Sequence, residues 1–250
     1  MFRPRIIPVL LLKNKTLVKS EKFKKFRYIG DAINAVRIFN ELKADELVFL
    51  DIEATSEKRT VSLDFVKAVG EEANMPFSVG GGIRTVEHIK QIIAAGAEKV
   101  IIGTYAVENP DFIKQASETF GSSTIVVCVD VKKTLLGKQK VWITNAQKKT
   151  NYTPVDFANL MEEKGAGELI IQSIDNDGIM NGYDLDLIKT IAESVKIPVI
   201  ALGGAGDLSH LKQAYKEAYA SALAAGSLFV FKGGNKGVLI NYPEKTDLNF

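Results

Sequence analysis

The fold of this chain is decided by a stretch of sequence that occurs twice. The first copy is Ile6-Ile7-Pro8-Val9-Leu10-Leu11-Leu12-Lys13, and the second, half a chain length later, is Ile125-Val126-Val127-Cys128-Val129-Asp130-Val131-Lys132. Aligning the copies puts Leu11 opposite Asp130. A repeat of this length far exceeds the roughly 20–50 residues of a solenoid period. It therefore indicates one half-domain that is present twice.

The match continues downstream, and the pattern around it predicts the fold class. Further paired stretches are Asp45–Leu50 with Gly167–Gln172, Met75-Pro76 with Ile197-Pro198, Gly81-Gly82 with Gly203-Gly204, and His88 with His210. Short apolar runs alternate with longer amphipathic runs, which is typical of a parallel sheet covered by helices. We predict an α/β protein: a single (β/α)8 TIM barrel over residues 1–250, built from half-barrels at about 1–121 and 122–250.

Eight strands and a set of helices follow from these runs. The predicted strands are Ile6–Leu12, Glu46–Asp51, Pro76–Val79, Lys99–Ile102, Thr124–Val129, Glu168–Ser173, Pro198–Leu202 and Ala222–Ala225. The predicted helices include Ala32–Leu42, Leu63–Glu72, Val86–Ala95, Pro110–Phe120, Thr153–Lys164 and Leu185–Ser194. Thr153 and Pro154 are suited to the N-cap and first position of their helix.

Composition limits the function classes. The chain has 250 residues, 46% of them hydrophobic and 25% charged, with a net charge of +2. This balance argues against a nucleic-acid or membrane binder driven by bulk charge. The apolar run near the N-terminus is too short to span a membrane and lacks a small-residue cleavage site. The single cysteine, Cys128, excludes an internal disulfide and suits a reducing compartment, so we expect a cytoplasmic protein.

Glycine-rich turns follow strands in both halves. Small residues let backbone N–H groups approach an anion, and the following helix N-terminus adds partial positive charge. The predicted phosphate-binding residues are Gly81, Gly82, Gly103, Thr104, Gly178, Gly203, Gly204, Gly226 and Ser227. Two such sites half a barrel apart suit an elongated, bisphosphate-like substrate. Turn glycines without a ligand are the plainer alternative.

Several charged residues are expected at the C-terminal ends of the strands, where barrel enzymes carry their active sites. Asp130 follows apolar residues and should emerge where its pKa can be tuned for acid–base work. A structural carboxylate bonded to Lys19 or Lys132 is the alternative for Asp130, and a plain loop turn is the alternative for Asp177. Asp51 also follows a strand.

Leu11 breaks the symmetry of this arrangement, because leucine can neither donate nor accept a proton. If the chemistry needed a pair of aspartates, loss of one would cost on the order of 10²–10⁴ in rate. The basic run from Lys13 to Lys25 is predicted to be a surface loop, either merely solvated or in contact with an anionic substrate.

The opposite end of the barrel carries a second polar set. Arg5, Glu46, Lys99 and Glu168 lie where the first, second, fourth and sixth strands begin, so two bases and two acids are predicted to form a ring around the barrel axis, with Ser78 as a small polar group inside. A purely stabilising role is the alternative. The two histidines do not make a metal site, and we expect no metal and no cofactor.

With these motifs the chain resembles the cyclase subunit of imidazole glycerol phosphate synthase, the HisF family, over nearly its whole length. Matching stretches are Ala44–Ile52, Val79–Arg84, Ala106–Pro110, Gly182–Leu185 and Gly203–Gly206. The resemblance implies a barrel whose top closes an imidazole ring on a bisphosphate, nucleotide-derived substrate. It also implies that ammonia arrives through the barrel from a glutaminase subunit docked at the N-terminal face.

The resemblance assigns roles to the residues above. The catalytic candidates are Asp130, Lys19, Asp51 and Asp177. The ammonia gate would consist of Arg5, Glu46, Lys99 and Glu168, with Ser78 in the channel where the family has threonine.

Departures from the family pattern concentrate at the active face. One of the family's two catalytic aspartates maps to Leu11, and a family asparagine in the first phosphate site maps to Gly103. A glycine turn reads Asn14-Lys15-Thr16, and a Gly-Gly pair reads Asn145-Ala146-Gln147. Residues 232–235 and the run Val238–Pro243 leave room for only a stunted final helix.

Three hypotheses follow. The first is a HisF-like paralogue of the kind found with surface-polysaccharide genes: it would bind a glutaminase and pass ammonia to a sugar amidotransferase that acts on a nucleotide-linked sugar. The second is an authentic cyclase subunit, a lyase of histidine biosynthesis. The third is a HisA-like sugar isomerase, suggested by Ile102-Gly103-Thr104, which ranks last because it has no use for an ammonia gate. Whether the chain is itself an enzyme stays open, because Leu11 replaces a catalytic aspartate.

Overall fold

A computed structural model describes residues 3–233 and 236–248, apart from the side chain of Lys245. Eight parallel strands alternate with helices around a closed cylinder, which confirms the predicted (β/α)8 barrel. The barrel strands are Arg5–Lys13, Leu47–Asp51, Phe77–Gly80, Lys99–Ile102, Ile125–Lys133, Glu168–Ser173, Val199–Leu202 and Ala222–Ala225. The helices are Ala32–Glu41, Leu63–Glu72, Val86–Ala94, Thr104–Glu108, Asp111–Phe120, Pro154–Glu163, Leu185–Ala192, Leu208–Ala218 and Ser227–Val230.

The helices lie where their amphipathic runs predict them. Buried residues recur on one face of each long helix, as Val36 and Phe39 do on Ala32–Glu41. The N-cap predicted at Thr153 is confirmed, because its side chain accepts a hydrogen bond from the Asp156 N–H and Pro154 follows it. Burial of these faces against the outside of the strands forms the main core.

Closure of the barrel comes from the first strand, which pairs on both sides. Arg5 lies opposite Ala222 of the eighth strand, and Val9 lies opposite Val48 of the second. Because side chains alternate between the two faces of a strand, closure directs every second residue into the barrel interior. The first residues of the strands therefore surround the axis at one end, and the last residues surround it at the other.

The prediction of a surface loop from Lys13 to Lys25 is wrong. The first barrel strand continues into a hairpin of Thr16–Glu21 and Lys24–Gly30. Its turn has positive φ at both Lys22 and Phe23, a conformation that usually requires glycine or asparagine. The turn was missed because neither residue signals it.

A second hairpin stands on the fifth barrel strand. Gln139–Ile143 runs antiparallel to the end of Ile125–Lys133, and Lys148–Lys149 adds a short third strand. Its inner turn contains three residues with positive φ, Thr144, Asn145 and Ala146. Each hairpin thus extends a barrel strand beyond the C-terminal rim.

The last part of the chain runs as an extended strap in the position where an eighth long helix would lie. Ser227–Val230 forms one helical turn, and the chain then returns along it, with Leu239 and Asn241 N–H groups donating to Val230 and Phe229. A short 3₁₀ helix, Lys245–Leu248, ends the described chain. The stunted final helix agrees with the prediction, although Gly234 and Asn235 lie outside the described residues.

Tyr242 fixes this strap at the N-terminal end of the barrel. Its hydroxyl accepts from the Asp45 N–H at 3.1 Å and donates to the Ile6 carbonyl at 3.0 Å. Its ring packs edge-on against Phe39, with ring centroids 6.5 Å apart, and lies at a tilt of 34° to the Phe229 ring, with centroids 5.6 Å apart. In the described ranges, no helix is long and apolar enough to cross a membrane.

Removal of the Tyr242 hydroxyl tests how strongly the strap is held. Tyr242→Phe should lower the free energy of unfolding by about 1–2 kcal/mol, because one donor and one acceptor of the backbone lose their partner. Urea unfolding measures the change. Tyr219→Phe is the control, because Tyr219 is 55% exposed and should change stability by less than about 0.5 kcal/mol. Equal effects for both variants would contradict this account of the strap.

Candidate functional site

A cavity of about 150 Å³ opens at the C-terminal end of the barrel, beneath the two hairpins. All four predicted catalytic candidates line it: Asp130, Lys19, Asp51 and Asp177. Leu11 lines it as well, and so do Phe23 and Phe26 of the first hairpin. The strand ends thus bring the sequence-predicted polar residues to one pocket, as expected for a barrel of this class.

Asp130 is the carboxyl most altered by this pocket. Its surroundings are largely apolar, and burial raises its pKa from an ordinary value of 3.8 to about 7. A weak contact from the Cys128 thiol, at 3.7 Å, opposes the rise, and the charge of Asp177 adds to it. A carboxyl with a pKa near neutrality can both give and take a proton at physiological pH.

Lys19 pairs with Asp177 and not with Asp130. Its Nζ donates to Asp177 Oδ1 at 2.8 Å and to the Ser20 carbonyl at 2.8 Å, and all three residues are buried. The Ser20 hydroxyl and the Phe23 N–H donate to Asp177 Oδ2. Asp177 is therefore more than a residue of a plain loop turn, because its carboxylate binds the first hairpin and holds it over the pocket.

Asp51 is engaged by its own loop. Its Oδ1 accepts from the N–H groups of Glu53 and Ala54, both at 3.1 Å. Its Oδ2 forms an ion pair with Arg59 at 2.5 Å. These bonds fix the orientation of the carboxylate at the pocket wall.

The first glycine cradle lies on the wall of the same cavity and consists of Gly81, Gly82, Gly103 and Thr104. Gly82 has φ +65°, and a Cβ there would lie 1.8 Å from the Arg59 carbonyl oxygen, so the backbone itself requires glycine. Gly103 is different, because a Cβ would have its nearest neighbour at 3.6 Å. The Thr104 hydroxyl accepts from the Thr144 N–H, which joins the second hairpin to this cradle.

The second cradle surrounds a small cavity next to Lys19. Its lining includes Gly178, Gly203, Gly204, Gly226 and Ser227. A Cβ at Gly226 would lie 2.9 Å from Lys19 Cε, so this glycine makes room for the lysine. The Ser227 hydroxyl is buried and has no hydrogen-bond partner within the described part of the chain. A buried polar atom without a partner is costly, and a ligand oxygen would satisfy it.

At the opposite end of the barrel, four side chains form a connected network, here called the basal ring: Arg5, Glu46, Lys99 and Glu168. Arg5 contacts Glu46 at 2.5 Å and Glu168 at 2.8 Å, and Lys99 contacts Glu168 at 3.0 Å and Glu46 at 4.0 Å. Burial opposes the charge of Arg5, but the two carboxylates outweigh burial and raise its pKa.

Ser78 joins the basal ring from inside, because its hydroxyl donates to Glu46 Oε1 at 3.0 Å. Above the ring the barrel interior is apolar up to the pocket. The inward-facing cluster is Ile7, Val9, Val48, Ile101, Val126, Ile170, Ile200, Leu202, Ala222 and Ala224, with Leu11, Leu50 and Cys128 against it. The barrel axis therefore runs from charged residues through an apolar section to the polar pocket.

Sequence reasoning missed several residues of the pocket. Gln172 is buried in its lining, and its amide lies beside Gly203, where an added Cβ would come within 3.0 Å. The repeat aligns Gln172 with Leu50, so a polar residue opposite an apolar one was an available signal. Ser20 and Asn145 carry no such signal, because the hairpins bring them to the pocket.

The described residues contain no group of three or more His, Cys, Asp or Glu side chains placed to hold a metal ion. Together, the fold and the pocket define a (β/α)8 barrel protein with an acid–base pocket and two glycine cradles at its C-terminal end.

Comparison with known proteins narrows this class. The family model described as "Histidine biosynthesis protein" matches residues 5–234. A protein of Leptospira borgpetersenii named "Putative imidazole glycerol phosphate synthase subunit HisF" is 46% identical, covering 99% of this chain and 98% of its own length. A Vibrio vulnificus protein named "Putative imidazole glycerol phosphate synthase subunit hisF3" is 44% identical, covering 99% of this chain and 95% of its own length.

A further relative is named as a subunit of the same synthase without the word putative. "Imidazole glycerol phosphate synthase subunit HisF" of Alkaliphilus metalliredigens is 43% identical over 92% of this chain and 91% of its own length. The chain belongs to the histidine biosynthesis protein family and is HisF-like.

Breaking the basal ring tests its energetic role. Arg5→Ala should lower the free energy of unfolding by about 2–4 kcal/mol, because Lys99 then remains as the sole cation of the basal ring to offset the charges of Glu46 and Glu168. This expected loss is at the lower end of the range for buried ion pairs because the Arg5 side chain is one-third exposed. Arg37→Ala, which breaks the exposed pair with Glu72, should leave the unfolding midpoint close to that of the wild type. Similar losses in both variants would refute the role of the ring.

Asp130 should make stability fall as pH rises. Between about pH 4 and pH 7 the unfolded chain releases the Asp130 proton while the folded protein keeps it, so the unfolded state is favoured progressively. Asp130→Asn removes this slope. At pH 8 the variant should gain on the order of 1–3 kcal/mol relative to the wild type, and at pH 4 the gain should vanish. Urea unfolding across this range measures it, with Asp186→Asn on an outer helix as the control. A gain that is equal at both pH values would rule out a raised pKa.

Proposed function

We propose that this chain is the synthase subunit of a glutamine amidotransferase complex, which binds a glutaminase at its N-terminal face and conducts ammonia through the barrel. The ammonia would serve amidation of a nucleotide-linked sugar in surface-polysaccharide biosynthesis, with a sugar amidotransferase as the consuming enzyme. The observation that carries the proposal is the combination of a complete basal ring with Leu11 in the pocket.

The basal end supports conduction. The ring leaves charged and hydroxyl groups around the axis, which can form hydrogen bonds to ammonia as it enters the barrel. The apolar section above it favours neutral ammonia over the charged ion, because an unpaired charge is costly in an apolar medium. Ala222 and Ala224 have the smallest side chains in this apolar section and therefore obstruct the path least. A glutaminase that docks at the ring would release ammonia at the entrance of this path.

The pocket end supports a phosphorylated ligand together with weakened acid–base chemistry. The two glycine cradles and the buried Ser227 hydroxyl fit phosphate oxygens at two separate points. Asp130 has a suitable pKa for proton transfer, but Leu11, which faces the same cavity, supplies no second group. A reaction that needs an acid and a base on two sides of a ring would lack one of them.

The second candidate function is an authentic imidazole glycerol phosphate synthase cyclase subunit. The observation that favours it is the tuned Asp130 next to the buried cluster of Lys19, Ser20 and Asp177. In this case a residue other than position 11 would take over the missing proton transfer. The relatives fit either candidate, because both a protein named hisF3 and a protein named HisF occur among them, each described as an imidazole glycerol phosphate synthase subunit.

A paired assay separates the two candidates. The purified chain is mixed with its cognate glutaminase, glutamine and the cyclase substrate, and glutamate and imidazole product are measured separately. The proposal expects glutaminase stimulation with product formation at least about a hundredfold below glutamate release, because one proton-transfer group is absent. Product formation equal to glutamate release would show a working cyclase and sink the proposal.

Leu11→Asp extends the same assay. If Leu11 is the missing acid–base position, this variant should raise product formation by at least about tenfold while glutamate release stays unchanged. Leu50→Asp is the matched control, because Leu50 lines the same cavity from the second strand and should give no gain. An equal gain from both variants would mean that any carboxyl in the pocket suffices, and it would contradict a specific role for position 11.

A further inference from the structure

The hairpin on the fifth barrel strand ends in two leucines whose side chains are exposed almost completely. Leu135 is 107% exposed and Leu136 is 87% exposed, the highest values among the large hydrophobic residues that the structure describes. Single exposed leucines are common on protein surfaces, but two adjacent ones at the end of a projecting hairpin form an apolar tip. Full exposure carries a cost that a binding surface would remove.

The sequence around this tip is strongly basic. Residues 131–155 contain six lysines and no acidic residue, although the whole chain has a net charge of only +2. The lysines are Lys132, Lys133, Lys138, Lys140, Lys148 and Lys149. The nearly balanced net charge, which argues against a membrane binder, is therefore the sum of one basic segment and a remainder with a net negative charge.

Strand register places four of these lysines close behind the leucines. Lys133 lies opposite Gln139 and Lys132 lies opposite Lys140, so they stand one or two residue pairs below the turn, roughly 3–7 Å at about 3.4 Å per residue, and Lys138 is in the turn itself. This spacing matches the boundary between headgroups and acyl chains, into which apolar side chains insert by about 5–10 Å. Lys148 and Lys149 lie on the adjoining strand, opposite Ile143 and Trp142, roughly 10–14 Å below Gln139, and contribute from a greater distance.

Neighbouring acids neutralise little of this charge. Lys133 Nζ lies 3.8 Å from Asp184, and Asp175 accepts from the Lys133 backbone N–H. Lys132 lies over the Trp142 ring at 5.0 Å, and Lys140 donates to the Asn151 carbonyl. In residues 3–233 and 236–248, Lys138, Lys148 and Lys149 take part in no ion pair.

The backbone of the turn is partly satisfied from within. The Thr134 N–H donates to the Lys138 carbonyl at 2.8 Å, and the Gly137 N–H donates to the Thr134 carbonyl at 2.9 Å. These bonds reduce the cost of moving the turn into a region with little water. A fluid interface also accepts a convex tip without a shaped socket, which a protein partner would have to provide.

We propose that this tip, Leu135 and Leu136 with Lys132, Lys133, Lys138 and Lys140 behind them, binds the protein peripherally to an anionic lipid surface. The leucines would insert among the headgroups, and the lysines would attract the anionic lipids, each with an attraction that adds to the others. The pocket end of the barrel would then face the membrane. This inference does not depend on which ammonia-consuming reaction the complex serves.

Vesicle sedimentation of the full-length chain tests the proposal. The wild type should bind vesicles of phosphatidylcholine mixed with phosphatidylglycerol, bind far less to phosphatidylcholine alone, and be released by high salt. The double variant Leu135→Ser, Leu136→Ser should lose at least about tenfold in partitioning. Lys132→Gln with Lys138→Gln should lose about tenfold or more while keeping the leucines.

The matched control is Leu42→Ser with Leu63→Ser, two part-exposed leucines on outer helices, which should bind as the wild type does. Absence of binding by the wild type, or binding that persists in the Leu135 and Leu136 variant, would overturn the proposal. Sedimentation velocity tests whether the tip instead binds a second copy of this chain. Self-association that depends on the two leucines would also overturn the proposal. Unchanged thermal unfolding in all variants shows that folding is not the cause.

Discussion

Pairing of the first strand on both sides is the constraint on which the rest of this structure depends. Arg5–Lys13 bonds to Ala222–Ala225 on one side and to Leu47–Asp51 on the other, and the sheet closes into a cylinder. Closure leaves no free edge and forces alternate side chains toward one axis. It thereby brings together residues that are far apart in the chain, such as Arg5 and Glu168, which form an ion pair.

The two ends of this axis are chemically different because the strands all run in one direction. Residues that begin strands form the basal ring, and residues that end strands form the pocket. Apolar side chains separate the two ends. A small neutral molecule can be favoured between them while a charged one is not, which is the physical basis for proposing conduction.

Positions that the sequence repeat aligns carry different chemistry in the two halves of the chain. Where one half has Leu11 and Leu50, the other has Asp130 and Gln172, and all four line the pocket. Hydrophobic replacement at such positions costs the fold little, because the space is already apolar, but it removes a proton-transfer group from the site. The fold itself does not fix the chemistry of the pocket, which depends on the residues that stand at these positions.

The amino-acid sequence by itself determined the barrel, its eight strands and the end of the barrel at which Asp130 and the glycine turns lie. Apolar periodicity and a half-length repeat report burial directly, and the parallel topology then places every strand end. The tertiary structure alone decided that Lys19 pairs with Asp177, that Ser20 and Asn145 reach the pocket, and that Tyr242 fixes the last segment at the N-terminal end of the barrel. These features depend on turns such as Lys22-Phe23, whose positive φ has no residue signal, and on contacts between distant segments. Local pattern carries no information about such contacts, because they are selected by packing against the finished barrel.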